Sequence, residues 1–357
     1  MAAAIKGRGA LSQPPGRFDK LTKEFEHDGW FEEEQPDRRE TIVLPEPARS
    51  IITRNKSPDI GFSQSINPYR GCAHGCIYCY ARPSHSYVGL SPGLDFETRL
   101  FYKADAAKLL EAELAAPSYR CSTIMLGANT DPYQPLERSL KVTRSLLEVL
   151  LRCRHPVAIT TKGALVARDV DLLAALARDG LVQVMFSIPT LNDDLKRILE
   201  PRAASARAKL KAMRLLADAG VTVGVLVAPI IPVITEHEVE SVLEAAREAG
   251  ASLAGYTMLR LPWEVKDLFR EWLAEHFPDR AAHVMSLVRA MRGERDNDPD
   301  FGTRMQATGP IAQLIRQRFQ LASRRLGYSH ERARNLPTKL FRPPLRTHPQ
   351  LNLELPM

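Results

Sequence analysis

Residues 67–83 read NPYRGCAHGCIYCYARP, and they hold three of the chain's five cysteines within eight positions. Cys72, Cys76 and Cys79 have the spacing CxxxCxxC, and a glycine directly precedes the first and the second cysteine. Glycine lets a backbone turn tightly, so this loop can bring three thiols to one place. Thiolates are soft ligands that suit zinc or an iron–sulfur cluster. The stretch therefore predicts a metal centre built on a single loop.

The number of ligands decides which metal fits this loop. A structural zinc site would need a fourth ligand, and the candidates are His74, Cys121 and Cys153. Cys121 opens a predicted strand, whereas the cysteine loop follows the end of another. In a parallel sheet these positions are about 20 Å apart, at roughly 3.3 Å per residue. Cys153 ends a predicted helix, so we expect three cysteine ligands and one free coordination position, with His74 left open as a fourth ligand.

Short apolar runs alternate with segments of helical period about six times along the chain after this loop begins. The predicted strands are 62–67, 121–127, 155–163, 182–188, 221–230 and 253–259. The predicted helices are 104–115, 139–151, 168–178, 206–219, 235–250 and 263–276. Runs such as VGVLVAPI show no polar alternation, which is typical of parallel strands covered on both faces. Six successive βα units predict an α/β fold, either a parallel barrel or an open doubly wound sheet.

Three regions follow from the composition, which is 44% hydrophobic and 25% charged and therefore globular. Residues 1–59 are polar and proline-rich, and they predict an N-terminal arm that is partly disordered. Residues 60–277 form the predicted core, and residues 278–357 a helical, basic C-terminal extension with a tail. The chain shows neither an apolar run of membrane-spanning length nor a secretory signal, and it has few cysteines. We therefore expect a cytoplasmic protein without a membrane partner.

The distribution of charge suggests one partner. The net charge is +7, and residues 310–348 carry nine Lys or Arg against one acid, while residues 19–40 carry nine acids against four bases. An arginine-rich end can contact the phosphates of a nucleic acid. A solvated helix face followed by a tail explains the same residues, so both interpretations stay open.

The cysteine spacing, its place after the first strand and Tyr78 just before the last cysteine resemble the signature of the radical S-adenosylmethionine (SAM) superfamily. The resemblance implies a partial (β/α)6 barrel over roughly residues 60–275. It implies a 4Fe-4S cluster on three cysteines, with SAM bound to the remaining iron. It further implies reductive cleavage of SAM to a 5′-deoxyadenosyl radical, hydrogen abstraction from a substrate, and a one-electron donor of the flavodoxin or ferredoxin type.

The segments NPYRGCAHGCIYCYARP, TDPYQPLE and EPR resemble one branch, the spore-photoproduct-lyase-like proteins that are often labelled DNA repair photolyases. Tyr78 and Tyr80 match two tyrosines that are implicated in radical relay in the lyase, so they are candidate catalytic residues. The branch implies a nucleic-acid substrate for lyase-like repair or for modification. The lyase has a hydrogen-donating cysteine after strand two, whereas residues 127–137 contain none. The resemblance therefore supports the cofactor chemistry more than thymine-dimer repair.

The same resemblance implies that polar side chains at the strand ends contact the cofactor. It also implies that Tyr78 contacts the adenine of SAM. These candidates are Thr130, Asp131, Lys162, Ser187, Glu200, Arg202 and Arg260. Asp131 and Thr130 are suited to accept hydrogen bonds from the methionyl amine. Each candidate also has an ordinary explanation, such as an Asp-Pro turn for Asp131 or a barrel-closing ion pair for Arg260.

Two other classes of function remain as alternatives. A non-enzymatic iron–sulfur redox sensor could switch a nucleic-acid-binding segment, and a zinc-stabilised binding module could use the same cysteines. A sensor needs no cofactor pocket, so the polar strand ends argue against it. The sequence gives no indication of the oligomeric state.

Overall fold

The computed structural model describes residues 7–19, 40–329 and 336–345. In this part of the chain the strands are β1 Ile42–Pro45, β2 Ile52–Arg54, β3 Gln64–Ile66, β4 Tyr69–Arg70, β5 Arg99–Tyr102, β6 Ile124–Leu126, β7 Val157–Thr161, β8 Val182–Ser187, β9 Thr222–Ile230 and β10 Leu253–Met258. The α-helices are α1 Asp95–Thr98, α2 Ala106–Leu114, α3 Glu137–Leu140, α4 Val142–Arg152, α5 Val170–Ala177, α6 Asp193–Leu199, α7 Ala206–Asp218, α8 Val239–Glu248, α9 Val265–His276, α10 Pro278–Ala290 and α11 Gly309–Arg325.

The main sheet has seven strands in the order β10-β9-β8-β7-β6-β3-β2. β2 is antiparallel to β3 at one edge, and the other six strands are parallel. Helices follow each parallel strand before the next one begins. This is the partial (β/α)6 barrel that the sequence predicts, and the predicted α/β fold class is confirmed. Because the strands are parallel, all six carboxyl ends lie at the same end of the barrel, where sites form in such folds.

Local sequence explains why these elements form and where they end. β9 is rich in β-branched residues, and its side chains Val223, Val225 and Val227 are buried. α7 begins after Ser205, whose side chain accepts a hydrogen bond from the Ala208 N–H at 3.2 Å. The predicted helix 139–151 is divided into α3 and α4, because Lys141 between them adopts a left-handed conformation with φ of 53°.

A second apolar cluster holds the cysteine loop against the end of the barrel. It contains Ile77 and Tyr78 from that loop together with Phe269 and Trp272 from α9. The Trp272 indole N–H donates to the Ile198 carbonyl at 3.0 Å, which also joins α6 to this cluster. Burial of large aromatic side chains supplies much of the free energy of packing in such a cluster. The cysteine loop is therefore part of the folded core.

The C-terminal region packs back onto the barrel. Arg318 of α11 forms an ion pair with Glu240 of α8 at 2.5 Å, and Arg325 pairs with Glu244 one turn further on. At least two arginines of the basic segment 310–348 therefore bind neighbouring acids. Residues 330–335 and 346–348 of that segment, like most of the acidic run 19–40, lie outside the described residues. No helix within the described ranges is long and apolar enough to cross a bilayer.

Candidate functional site

The three cysteines of the loop are free thiols in tight turns at the carboxyl end of the barrel. Cys72 and Cys76 are buried, and Cys79 is partly exposed. The Cys79 N–H donates to the Cys76 carbonyl at 3.3 Å, and the Cys72 N–H donates to the Phe96 carbonyl at 2.9 Å. These backbone bonds fix the course of the chain between the thiols.

Arg82 fixes the backbone of the cysteine loop, although the sequence does not indicate this role. Its guanidinium is completely buried and uses all five N–H groups. Four of them donate to backbone carbonyls, of Gly75, Cys76, Pro92 and Gly93, at 2.9–3.2 Å. The fifth donates to the carboxylate of Glu97 at 2.5 Å, which is also completely buried. The positions of Cys76 and its neighbours thus depend on one buried arginine.

Two positions of the loop require glycine. Gly71 and Gly75 have φ of 72° and 68°, in the left-handed region that side chains disfavour. A Cβ on Gly71 would lie 2.7 Å from the Leu100 side chain, and a Cβ on Gly75 would lie 2.7 Å from Glu97. The loop is therefore packed tightly against Leu100 and Glu97.

Residues 7–19, which we call the N-terminal strap, pack directly on this loop. The N–H groups of Gly9 and Ala10 donate to the two Glu97 carboxylate oxygens at 3.0 and 2.9 Å. A Cβ on Gly9 would lie 1.8 Å from the Gly75 carbonyl oxygen, so the two backbones are in close contact. The sequence places this stretch in the N-terminal arm and does not indicate the contact, since it depends on residues about 90 positions away.

The other end of the strap contacts the segment that follows β10. The Arg17 N–H donates to Glu264 at 3.2 Å, and its guanidinium lies 4.0 Å from the centre of the Trp263 ring. The Ser12 hydroxyl donates to Glu271 of α9 at 2.6 Å. The strap therefore links the loop after the first parallel strand to the segment after the sixth. These two strands stand toward opposite ends of the sheet, so the strap bridges the side on which the barrel is open.

Gln134, another residue that the sequence analysis did not single out, holds the loop on its barrel side. Its amide donates to the Gly71 carbonyl at 3.2 Å and accepts from the Ala73 N–H at 2.9 Å. Gln134 belongs to the segment TDPYQPLE, residues 130–137. The sequence shows this motif but does not show which groups the Gln134 side chain binds.

The side chains of Asp131 and His74 lie close to each other beside the cysteine loop. The Asp131 carboxylate accepts hydrogen bonds from Thr161 at 2.7 Å and from the Lys162 N–H at 2.6 Å, and it lies 3.4 Å from His74 Nδ1. Burial opposes the charged form of His74, but Asp131 and Cys72 raise the pKa of His74 to about 10. Burial likewise opposes the charged form of Asp131, but His74 lowers the pKa of Asp131 to about 2. His74 is thus paired with a carboxylate, and the role of Asp131 toward an amine stays a prediction.

Thr130 and Arg202 are also joined to the loop. The Thr130 hydroxyl donates to the Tyr69 carbonyl at 2.9 Å, and this side chain is buried. The Arg202 N–H donates to the His74 carbonyl at 3.1 Å, while its side chain is exposed and lies 3.4 Å from the Thr41 hydroxyl. Both candidates lie beside the cysteine loop, and their roles toward a ligand stay predictions.

Glu200 is the centre of a buried charge network that includes two lysines. Its carboxylate lies 3.0 Å from Lys209 Nζ and 3.5 Å from Lys162 Nζ, and it accepts a hydrogen bond from the Tyr78 hydroxyl. Burial by itself would raise the pKa of Glu200, but Lys209 and Lys162 lower it to about 2. Lys209, on α7, was not predicted as a site residue, because its partners come from other elements.

Ser187 connects this network to the strand ends. Lys162 Nζ donates to the Ser187 hydroxyl at 2.6 Å, and that hydroxyl donates to the Ala228 carbonyl at 2.9 Å. Lys162 Nζ also lies 5.6 Å from the centre of the Tyr78 ring. Four of the predicted residues, Tyr78, Lys162, Ser187 and Glu200, are therefore brought together at one place.

Tyr80 and Arg260 lie apart from that network. Tyr80 is 53% exposed, and its hydroxyl donates to the Ala128 carbonyl in the loop after β6. Arg260 follows β10, and no carboxylate of the described residues forms an ion pair with it. Arg260 therefore forms no barrel-closing ion pair within the described chain, although the carboxylates of Asp59 and Asp298 lie in its surroundings.

The remaining cysteines do not join the loop. Cys153 is buried in the main core, and Cys121 packs against that core ahead of β6. Among the described residues, no three Cys, His, Asp or Glu side chains converge closely enough to chelate one metal ion.

A comparison with family models matches the model described as the radical SAM superfamily over residues 66–246. The chain belongs to the radical SAM superfamily. It is accordingly an enzyme that uses a 4Fe-4S cluster and SAM. The loop suits this cofactor, because it offers three free, soft thiol donors and its histidine is paired with Asp131. Burial raises the pKa of Cys76 and of Cys79, so loading of the cluster should release protons.

Several proteins resemble this radical SAM chain along much of their length. An uncharacterized protein of Mycobacterium tuberculosis is 34% identical over 240 residues, which are 66% of this chain and 71% of that one. An uncharacterized protein of Methanocaldococcus jannaschii is 27% identical over 196 residues, 55% of this chain and 70% of that one. Spore photoproduct lyase complexed with dinucleoside spore photoproduct has a TM-score of 0.56 and 16% identity, with 80% of both chains covered. At this identity the likeness to the lyase shows the fold.

The strap contact yields a first prediction. Gly9→Val should destabilise the chain by about 1–3 kcal/mol, because the new side chain would overlap the Gly75 carbonyl and push the strap away from the loop. Urea unfolding and the rate of proteolysis near the N-terminus measure this change. Gly61→Val is the matched control, since a Cβ there meets nothing within 4 Å. Equal losses of stability in the two variants would contradict the contact.

The buried charge network yields a second prediction. Lys209→Met should lower the free energy of unfolding by about 3–5 kcal/mol, because Glu200 would keep its buried charge without its closer partner. Lys211→Met on the exposed face of the same helix should change it by less than about 0.5 kcal/mol. The double variant Lys209→Met, Glu200→Gln should recover much of the loss. If Lys209→Met unfolds at the wild-type urea concentration, the network contributes nothing to stability.

Proposed function

We propose that Cys72, Cys76 and Cys79 hold the 4Fe-4S cluster through one thiolate each and leave one iron for SAM. The observation that carries this assignment is the loop itself: three free thiols lie at the carboxyl end of the parallel strands, and the nearest further donor, His74, is paired with Asp131. When bound, the cluster and SAM supply a one-electron cleavage of the sulfonium that yields a 5′-deoxyadenosyl radical.

The residues around the loop would bind and orient SAM. Glu200 is an anion suited to accept hydrogen bonds from ribose hydroxyls, and Tyr78, which stands between Cys76 and Cys79 in sequence, donates a hydrogen bond from its hydroxyl to Glu200. Lys162 and Ser187 lie at the next strand ends and share hydrogen bonds with this network. Arg202 is a candidate for the carboxylate of SAM, and Thr130 with Asp131 for its amine. The apolar cluster behind the loop would exclude water from the reacting bond.

We further propose a nucleic-acid substrate, which undergoes lyase-like repair or modification after hydrogen abstraction. Support comes from the segments around the cysteines, from TDPYQPLE and from EPR, which resemble the spore-photoproduct-lyase-like branch. Tyr80, exposed at the carboxyl end of the barrel, is suited to relay a hydrogen atom to or from the substrate. The lack of a cysteine at residues 127–137 favours a reaction that differs from the lyase in its hydrogen donor. A cytoplasmic one-electron donor of the flavodoxin or ferredoxin type would reduce the cluster.

Anaerobic reconstitution with iron and sulfide tests the proposed ligands. Wild-type protein should load about four irons per chain, and with dithionite and SAM it should release 5′-deoxyadenosine. Ser in place of Cys72, Cys76 or Cys79 should remove most of the bound iron and all of the 5′-deoxyadenosine. Cys153→Ser is the control, because Cys153 lies in the main core. Full loading of any of the three loop variants, or loss of the cluster in the control, would contradict the assignment.

A further inference from the structure

Arg260 is a partly buried cation at the carboxyl end of β10, and no carboxylate of the described residues forms an ion pair with it, although Asp59 and Asp298 are electrostatic neighbours. Its Nε is buried and has no hydrogen-bond partner among the described residues. Its Nη1 contacts only the Met305 sulfur, at 2.8 Å, and a thioether is a weak acceptor. Asp298 and Asp300 are close in sequence to Met305, but neither carboxylate forms an ion pair with Arg260. The guanidinium therefore keeps most of its capacity to donate hydrogen bonds.

Two neighbouring arginines add positive charge to this place. Arg304 is bound to Asp59 at 2.7 Å and to the Ser57 hydroxyl at 2.9 Å. Arg292 donates only to backbone carbonyls, among them those of Leu259 at 3.0 Å and Gln306 at 2.8 Å. Burial and the charge of Arg260 lower the pKa of Arg292 to about 10. Asp59 and Asp298 are the carboxylates near these three guanidinium groups, and within the described chain neither forms an ion pair with Arg260 or Arg292.

Such an arrangement costs stability, since desolvated charge without a partner is unfavourable. A buried polar group that stays unsatisfied in a native protein calls for an explanation, and a ligand that is bound during function is one. The ligand that fits here is an anion, because the five N–H groups of the Arg260 guanidinium have no acceptor among the described residues except the Met305 sulfur, and Arg304 and Arg292 cannot supply one. A guanidinium suits phosphate, to which it can donate two parallel hydrogen bonds.

Exposed aromatic rings lie on the same side of the barrel. Tyr80 is an electrostatic neighbour of Arg260 and is half exposed, and its hydroxyl reaches the loop after β6. Phe301 is 67% exposed, and its ring centre lies 4.3 Å from the Arg304 guanidinium. Proteins that bind single-stranded nucleic acid commonly combine two kinds of side chain. Arginines contact the phosphates, and aromatic rings stack on the bases.

We propose that Arg260 binds a phosphodiester group of a single-stranded or flipped-out nucleotide substrate, beside Tyr80 at the mouth of the barrel. This inference rests on the proposed function, which it deepens by naming the phosphate anchor. It also separates Arg260 from the cofactor contacts and assigns it to the substrate.

Fluorescence anisotropy of a labelled single-stranded oligodeoxynucleotide with the anaerobically loaded full-length protein tests the proposal, without SAM and over a series of salt concentrations. Arg260→Gln should raise the Kd by about tenfold and reduce the slope of log K against log salt by about 0.7, as loss of one phosphate contact requires. Arg260→Lys should bind between the two, because it keeps the charge but loses the planar fork. If the Gln variant does not fold, the Lys variant carries the comparison.

Arg178→Gln is the matched control, since Arg178 is exposed near the amino-terminal side of β8, at the other end of the barrel. Equal affinity of the Arg260→Gln and Arg178→Gln variants for the oligonucleotide overturns the anchor alone. The anchor is also overturned if Arg260→Gln weakens only a spectroscopic titration with SAM, because Arg260 is then a cofactor contact. If wild-type protein binds no oligonucleotide even at low salt, the nucleic-acid part of the proposed function fails together with the anchor, while the cluster assignment stands.

Discussion

The buried ion pair between Arg82 and Glu97 is the contact on which the geometry of the site depends. Arg82 holds the backbone of the cysteine loop through its carbonyls, and Glu97 holds the N-terminal strap through two N–H groups. Removal of either partner would leave the other charge buried and unpaired, which is costly. One pair of side chains therefore connects the thiols, the strap and, through the strap, the open side of the barrel.

The charged side chains at the carboxyl end of the barrel are likewise paired with partners of opposite charge. Glu200 is fully buried but lies between two lysines, and Asp131 is fully engaged by internal donors and His74. These groups keep their ionised forms in a place with little water, because a partner of opposite charge lies beside each of them. Two residues at the rim, Val233 and Trp263, have φ of 68° and 46°. Such backbone strain is often found around binding sites.

The sequence was sufficient for the parts of the structure that depend on local pattern. Cysteine spacing identified the loop, and apolar periodicity gave six βα units. Their ends shifted, as in β6, and one predicted helix is divided into α3 and α4. Tyr78 was predicted in the cysteine loop, and Lys162, Ser187 and Glu200 were predicted at or just past strand ends. The four side chains meet in one network. Arg82, Gln134, Lys209 and the strap were missed, because their meaning comes from partners far away in the chain. A single sequence carries no signal for such pairings.

The central claim is that three thiolates hold the cluster and leave one iron open to SAM. The electron paramagnetic resonance spectrum of the dithionite-reduced, fully loaded wild-type protein tests this claim most directly, when it is recorded with and without SAM. The account predicts that saturating SAM shifts the g values of the cluster signal, because its amine and carboxylate would bind the iron that has no cysteine. A spectrum that stays the same at saturating SAM would contradict the account.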